Sequence, residues 1–201
     1  MIAGSGNRRR PALRSGMAGV GLLLALAGCA PKPHVYVAEP MAGSWRIAVL
    51  PFANYAANRD AGDRVLPIVA VALAQKPGVT VVDQGEVDAA LAKEPWLILD
   101  RIPPDIVKSI GTEVKADALL TGSLLSYTER DFEMERIPQT SLSLRLIEVN
   151  SGRLLWNAVH SRDGGDEEWL FGLGRVQSME QLLTLTVGEM LETFPTGQGS
   201  Q

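Results

Sequence analysis

Cys29 is the only cysteine of the 201-residue chain, and it closes an amino-terminal segment that is typical of a signal rather than of a folded domain. Four arginines precede an apolar run at residues 17–27, which is shorter than the roughly 20 residues needed to span a bilayer. The run ends at the small residue Ala27, and the small residue Gly28 follows it. A positive region, a short apolar run and small residues before the cleavage point are typical of a secretory signal. The sequence therefore predicts cleavage between Gly28 and Cys29 and loss of residues 1–28.

The tetrapeptide LAGC that ends at Cys29 predicts a bacterial lipoprotein signal. Its thiol is expected to carry diacylglycerol through a thioether, and the new amino group an acyl chain. Two or three chains, at about 0.8 kcal/mol per buried methylene, make membrane attachment long-lived. The alternative is that Cys29 is an ordinary small buried thiol. Ala30 stands where aspartate marks retention in the enterobacterial sorting pattern, so we expect the periplasmic face of the outer membrane.

The chain beyond the signal is long enough for one domain. Removing residues 1–28 leaves 173 residues, enough for one substantial core and too few for two. Four arginines and no acids leave with the signal, so the formal net charge falls from −4 to −8. This charge disfavours nucleic acid and anionic headgroups as partners. We predict a lipidated cysteine and flexible tether at 29–44, a domain at 45–195 and a disordered tail at 196–201.

Strand and helix patterns alternate through the predicted domain. Apolar runs and period-two alternation predict strands at 45–52, 79–82, 118–127, 140–149 and 154–160. Apolar stripes at helical spacing predict helices at 63–75, 83–91, 104–114 and 178–194. Asp83 and Ser178 are the expected amino-terminal caps, and Pro67 is expected in the first turn of its helix. The order βαβααβββα predicts an α/β fold: one compact domain with a mixed sheet of about five strands and flanking helices.

Three phrases of this domain resemble a known group. They are IAVLPF at 47–52, ADALLTGS at 116–123 and the hairpin from 144 to 156. Over about residues 45–194 they resemble the periplasmic lipoprotein group that includes the curli-secretion channel CsgG, the peptidoglycan-synthase activator LpoB and the amino-terminal domain of TolB. The resemblance implies a TolB-N/CsgG-like sheet with packed helices, used for binding and assembly rather than catalysis. It leaves open a subunit of a CsgG-like oligomeric secretion complex and an LpoB-like regulator of a peptidoglycan synthase.

The residues give little sign of catalysis. His34 lies in the predicted tether and His160 ends a strand, and no serine or cysteine nucleophile with a partnering acid is indicated. The acidic cluster at 163–168 lacks the spacing of an EF-hand, so no metal site is predicted. The glycines at 172 and 174 lack a third glycine, which disfavours nucleotide binding. We therefore predict no catalytic residues, no enzyme activity, no small-molecule substrate and no cofactor beyond the acyl chains on Cys29.

The tryptophans are the remaining candidates for core packing or for contact with a partner protein. Trp45 and Trp156 are predicted to pack in the core beside strand residues. Trp169, Leu170 and Phe171 form a candidate partner interface, because an exposed indole with apolar neighbours is a good interface anchor. A core position fits these three residues equally well. The expected partners are the membrane, through the lipid anchor, and another envelope protein or further copies of this chain.

Overall fold

A computed structural model describes residues 31–95, 97–99, 101–132, 135–168 and 173–196. Eleven elements follow one another in these ranges. They are β1 (His34–Val37), β2 (Trp45–Val49), β3 (Ala53–Asn54), α1 (Ala61–Ala74), β4 (Val79–Val81), α2 (Gln84–Leu91), α3 (Pro104–Glu113), β5 (Ala118–Phe132), β6 (Glu135–Glu148), β7 (Leu154–Asp163) and α4 (Met179–Glu192).

All seven strands belong to one mixed sheet. Its order is β1-β7-β6-β5-β2-β4, with β3 beside β5. Strand β2 runs parallel to β4 and β5, whereas the β5–β6, β6–β7 and β1–β7 pairs are antiparallel. The predicted α/β class and single domain are confirmed. Two strands were not predicted, β1 and β3, because four and two residues are too short to display a period.

Each face of the sheet has its own apolar core. Helices α1 and α4 cover one face, and α2 and α3 cover the other over β2 and the start of β5. Trp156 is completely buried, and its ring meets Phe194 edge to face with centroids 5.3 Å apart. Trp45 is partly buried against the same core. Both tryptophans therefore pack as the sequence predicts.

The helix ends follow the local sequence closely. The Asp83 side chain accepts from the Gly85 N–H, and the Ser178 hydroxyl accepts from the Gln181 N–H, so both caps are confirmed. The expectation for Pro67 is wrong. Helix α1 begins at Ala61, which places Pro67 in its second turn, where its missing N–H removes one helical hydrogen bond.

Strands β5 and β6 extend beyond their predicted limits into a long hairpin. The added residues are 128–132 of β5 and 135–139 of β6. Most of them belong to the charged segment 127–136, where acids and bases leave no period-two apolar pattern. Arg136 lies 3.7 Å from the carboxylates of Glu129 and Asp131, and all three side chains are exposed. Charges of opposite sign therefore face each other on the hairpin, an arrangement that suits paired strands.

Residues 34–41 lie against the domain, inside the segment that the sequence predicts as a flexible tether. Strand β1 pairs with β7 from His34 opposite Val159 to Val37 opposite Trp156. Beyond it, the Met41 N–H donates to the Pro195 carbonyl at 2.8 Å, and the Met41 side chain is buried. The sequence did not predict this strand because prolines lie on both sides of it. Prolines are nevertheless tolerated beside a short edge strand.

Candidate functional site: the ion-paired end of the sheet

Charged side chains converge where β7 ends beside the β5–β6 hairpin. The loop at residues 163–168 leaves β7 there and carries four carboxylates. Three arginines from separate parts of the chain bind this loop: Arg130 of β5, Arg162 of β7 and Arg175 ahead of α4. We call this region the ion-paired end.

Arg162 lies at the centre of the ion-paired end. Its side chain is 1% exposed and forms ion pairs with Glu189 of α4, with Glu167 at 3.0 Å and with Asp166 at 3.2 Å. Burial lowers the pKa of the guanidinium, but the bonds to Glu167 and Glu189 outweigh it, so the pKa is raised above its ordinary value. Arg162 therefore stays cationic beneath the surface.

His160 belongs to the same network. Its Nε2 lies 2.6 Å from Glu189 Oε2, and its side chain is 2% exposed. Its neighbour Ser161 points to the opposite face of β7, because successive strand residues alternate. The buried histidine therefore satisfies Glu189 and does not face a hydroxyl nucleophile on its own strand.

Asp163 connects the β5–β6 hairpin to the loop at residues 163–168 through hydrogen bonds. Its carboxylate accepts from Arg130 Nε at 2.7 Å, from the Gln139 amide at 2.7 Å and from the Gly165 N–H at 2.8 Å. Partial burial raises the pKa of this carboxyl, but the three hydrogen bonds outweigh burial and hold the pKa below its ordinary value. Asp163 is thus ionised and structurally engaged at neutral pH.

We expect Asp163→Asn to destabilise the domain by about 1–3 kcal/mol at pH 7, because it removes charge-assisted bonds at a partly buried position. The lowered pKa means that this stabilisation is fully present above about pH 4 and is lost as the pH falls through the native value. The difference between parent and variant should therefore shrink by pH 3. Urea unfolding at both pH values measures it. Asp131→Asn, at a 92% exposed side chain, is the matched control, and an equal loss there would contradict the assignment.

The last acidic residue of the loop is engaged as well. Glu168 accepts from Arg175 at 2.7 Å, and Arg175 also binds Glu135 at the start of β6. Within the described ranges, no group of three or more histidine, cysteine, aspartate or glutamate side chains is arranged to hold a metal ion. The carboxylates of this loop form ion pairs with arginines.

A polar cavity of about 360 Å³ opens beside the ion-paired end. Pro31, Ser141, Ser161, Arg162 and Asp163 are among the residues that line it. The Ser141 and Ser161 hydroxyl oxygens lie 2.7 Å apart, so they bond to each other. Pro31 precedes β1 by three residues, so the segment that leads into the edge strand lines this cavity.

A second concavity, of about 520 Å³, lies between α1 and α4. Its lining includes Pro67, Ile68, Val71 and Gly188, and Val71 is 62% exposed. A lining of this kind suits an apolar side chain rather than a charged ligand.

No protein-family model and no curated protein sequence matches the chain. Solved structures do match it. The PelC dodecamer from Paraburkholderia phytofirmans aligns with a TM-score of 0.56 at 18% identity, covering 83% of this chain and 99% of that chain. Lipoprotein GNA1162 from Neisseria meningitidis aligns with a TM-score of 0.54 at 18% identity, covering 74% of this chain and 99% of that chain. The chain shares the fold of these two proteins.

The similarity to PelC and GNA1162 confirms the predicted resemblance to bacterial lipoproteins at the level of the fold. The carboxy-terminal domain of LpoB from Escherichia coli aligns with a TM-score of 0.46 at 16% identity, covering 62% of this chain and 87% of that chain. That score is too low to show a common fold. The closer relation to CsgG, LpoB or TolB stays a prediction.

The residues that the sequence singles out as sites are not among the described residues. Gly28 and Cys29 precede Pro31, and Trp169, Leu170 and Phe171 follow Glu168, so all five lie outside the described residues. Their roles stay predictions. Sequence reasoning missed the arginines, although Arg162 follows His160 at the period-two spacing of the buried positions Trp156 and Ala158.

Proposed function

We propose that this chain is an acylated lipoprotein on the periplasmic face of the outer membrane, and that its domain is a non-catalytic module for protein binding and assembly. The observation that carries the proposal is the predicted acylation sequence ending at Cys29, five residues before strand β1 of a domain that shares the fold of lipoprotein GNA1162. Among the described residues no helix is long and apolar enough to cross a bilayer. The acyl chains would supply the attachment.

The chemistry of the ion-paired end supports a structural role for its titratable groups. His160 is buried against Glu189, and the carboxylates of the loop are bound by arginines. A general base needs access to the proton that it removes. Groups already engaged in such pairs are better suited to fixing the loop than to reacting with a substrate.

A second candidate function is a subunit of an oligomeric assembly of the envelope. PelC, which has the same fold, is a dodecamer. Strands β1 and β4 form the two edges of the sheet, and Val35, Tyr36 and Val37 of β1 are exposed. Edge strands carry unpaired backbone groups that can pair with another chain. Pairing of one edge with the opposite edge of the next copy is heterologous and would close into a ring or extend into a filament.

We expect Cys29→Ala to move the protein from the membrane fraction to the soluble periplasmic fraction, because the acyl chains supply the membrane affinity. Ala30→Ser, which retains the thiol, is the control and should stay with the outer membrane. Mass spectrometry of the protein from its host should show an amino terminus at residue 29 that carries acyl chains. An unmodified amino terminus upstream of residue 29, or full membrane retention of Cys29→Ala, would contradict the proposal.

Crosslinking in intact cells separates the two candidate functions. An oligomeric subunit predicts a ladder of adducts whose masses are multiples of this chain. A module that binds another envelope protein predicts adducts with heterologous partners instead. Sucrose-gradient fractions of the envelope, analysed in the same cells, test the outer-membrane location.

A further inference from the structure

The path of the chain into the domain fixes where an acylated amino terminus must lie. Strand β1 is hydrogen-bonded to β7, and Pro31 lines the cavity that also contains Arg162 and Asp163. Cys29 is two positions before Pro31 in the sequence, and two residues of extended chain span at most about 7 Å. An acylated Cys29 would therefore be tethered within about this distance of a residue that lines the cavity beside the ion-paired end.

We propose that the ion-paired end faces the lipid bilayer and that the hairpin β5–β6 contacts its headgroups. This inference rests on the proposed acylation of Cys29. A diacylglyceryl cysteine sits at the boundary between headgroups and acyl chains. A linker of about 7 Å therefore keeps the nearby part of the domain within reach of the headgroups, with no flexible arm between them.

In this orientation the hairpin β5–β6 is long enough to contact the headgroups. Arg162 is opposite Thr140, which is opposite Tyr127, so Pro31 lies near the level of Tyr127 along the sheet. Strand β5 continues for five more residues to Phe132, which is about 16 Å at 3.3 Å per residue. The hairpin extends farther than the linker is long. With the sheet standing away from the membrane, the hairpin therefore reaches the headgroup layer.

The described charges of the hairpin suit a zwitterionic surface. Glu129 and Asp131 flank Arg136, and Glu135 binds Arg175, so acids and bases alternate over a short distance. Zwitterionic headgroups present a phosphate and an amine at similar spacing, and both charges find a partner on such a hairpin. A uniformly anionic surface would be repelled by the excess of carboxylates, in line with the net acidity of the chain.

The opposite end of the sheet should lie far from the membrane. Ala118 pairs with Glu148, and the turn that follows Glu148 stands at that end. Fourteen residues separate Arg136 from Asn150, or about 45 Å along the strand. Even with a strongly tilted sheet, a label at Asn150 should lie roughly 20–30 Å farther from the headgroups than a label at Asp131.

Single-cysteine labels test this orientation in the full acylated protein. The sulfur of Cys29 is consumed by the lipid, so Asp131→Cys and Asn150→Cys each introduce one reactive thiol. Both side chains are exposed, which makes the variants a matched pair. Energy transfer from a thiol-bound donor to headgroup-labelled acceptors is measured in vesicles of the zwitterionic lipids phosphatidylethanolamine and phosphatidylcholine. We expect strong transfer from position 131 and weak transfer from position 150.

A longer linker provides the second arm. Twenty Gly-Ser residues inserted after Ala30 would span about 25 Å on average, so both labels should retreat and their difference should fall. A difference that persists after the insertion, or equal transfer from the two positions without it, overturns the proposed orientation while leaving acylation intact. Protein that fails to float with the vesicles overturns the acylated anchor and the orientation together.

Discussion

Arg162→Met is expected to destabilise the domain by about 3 kcal/mol or more. The guanidinium is 1% exposed and compensates Glu189, Glu167 and Asp166, so its removal leaves three carboxylates close together without their shared cation. Breaking a buried ion pair by removing one partner typically costs about 3–5 kcal/mol, and partial exposure of the acids places this case at the lower end. Urea unfolding of the variant in the unacylated Cys29→Ala background measures the change.

A double variant distinguishes lost charge compensation from lost packing. Methionine keeps much of the apolar volume of Arg162, and Glu189→Gln removes the charge that Arg162→Met leaves unpaired. We expect the double variant to recover at least about 1 kcal/mol of the loss, because coupled partners are not additive. A single variant within about 0.5 kcal/mol of the parent would show that the network contributes little to stability.

Gly122→Ala should destabilise the domain by about 3 kcal/mol. A Cβ at this position of β5 would lie 2.1 Å from the Ser143 carbonyl oxygen of β6 and 3.0 Å from the Phe52 ring. The first neighbour is backbone in the middle of the β5–β6 ladder, so the two strands would have to separate. Overpacking of this kind usually costs about 1–3 kcal/mol, and a backbone clash belongs at the upper end.

Gly188→Ala is the matched control, and its expected effect has the opposite sign. Gly188 lies inside α4, and a Cβ there would meet nothing within 4 Å. Alanine in a helix interior is about 0.5–1 kcal/mol more favourable than glycine, so the variant should be more stable than the parent. Thermal unfolding of both variants and of the parent protein shows whether each substitution raises or lowers the stability. Destabilisation by both substitutions would show that the space around Gly188 is smaller than described.

The elements that were predicted correctly are those whose sequence carries a regular period. Leu142, Leu144 and Leu146 alternate with polar residues and face the apolar core, as the sequence indicates. Strand β1 could not be predicted in this way, because its pairing with β7 supplies the order that its four residues lack. The ends of β5 and β6 are likewise set by pairing across the hairpin rather than by local pattern.

The candidate site also depends on strand pairing that the local sequence pattern does not determine. The acids at 163–168 are visible as a cluster in the sequence, but their partners are scattered at Arg130, Arg162 and Arg175. Register decides which side chains meet: Gln139 stands opposite Asp163, and Arg130 stands opposite Ile137 two residues away. A period-two pattern fixes the face of a side chain and leaves its cross-strand partner undetermined.

Strand β1 also imposes an order in time on the maturation of an acylated chain. Its partner Val159 lies 125 residues after His34, so under the proposed export the edge of the sheet could close only when most of the polypeptide has crossed the inner membrane. Acylation of Cys29 and cleavage before it would require an extended backbone that is free of the domain. Processing would therefore precede the pairing of β1 with β7, and that late pairing would fix the previously extended segment against the sheet.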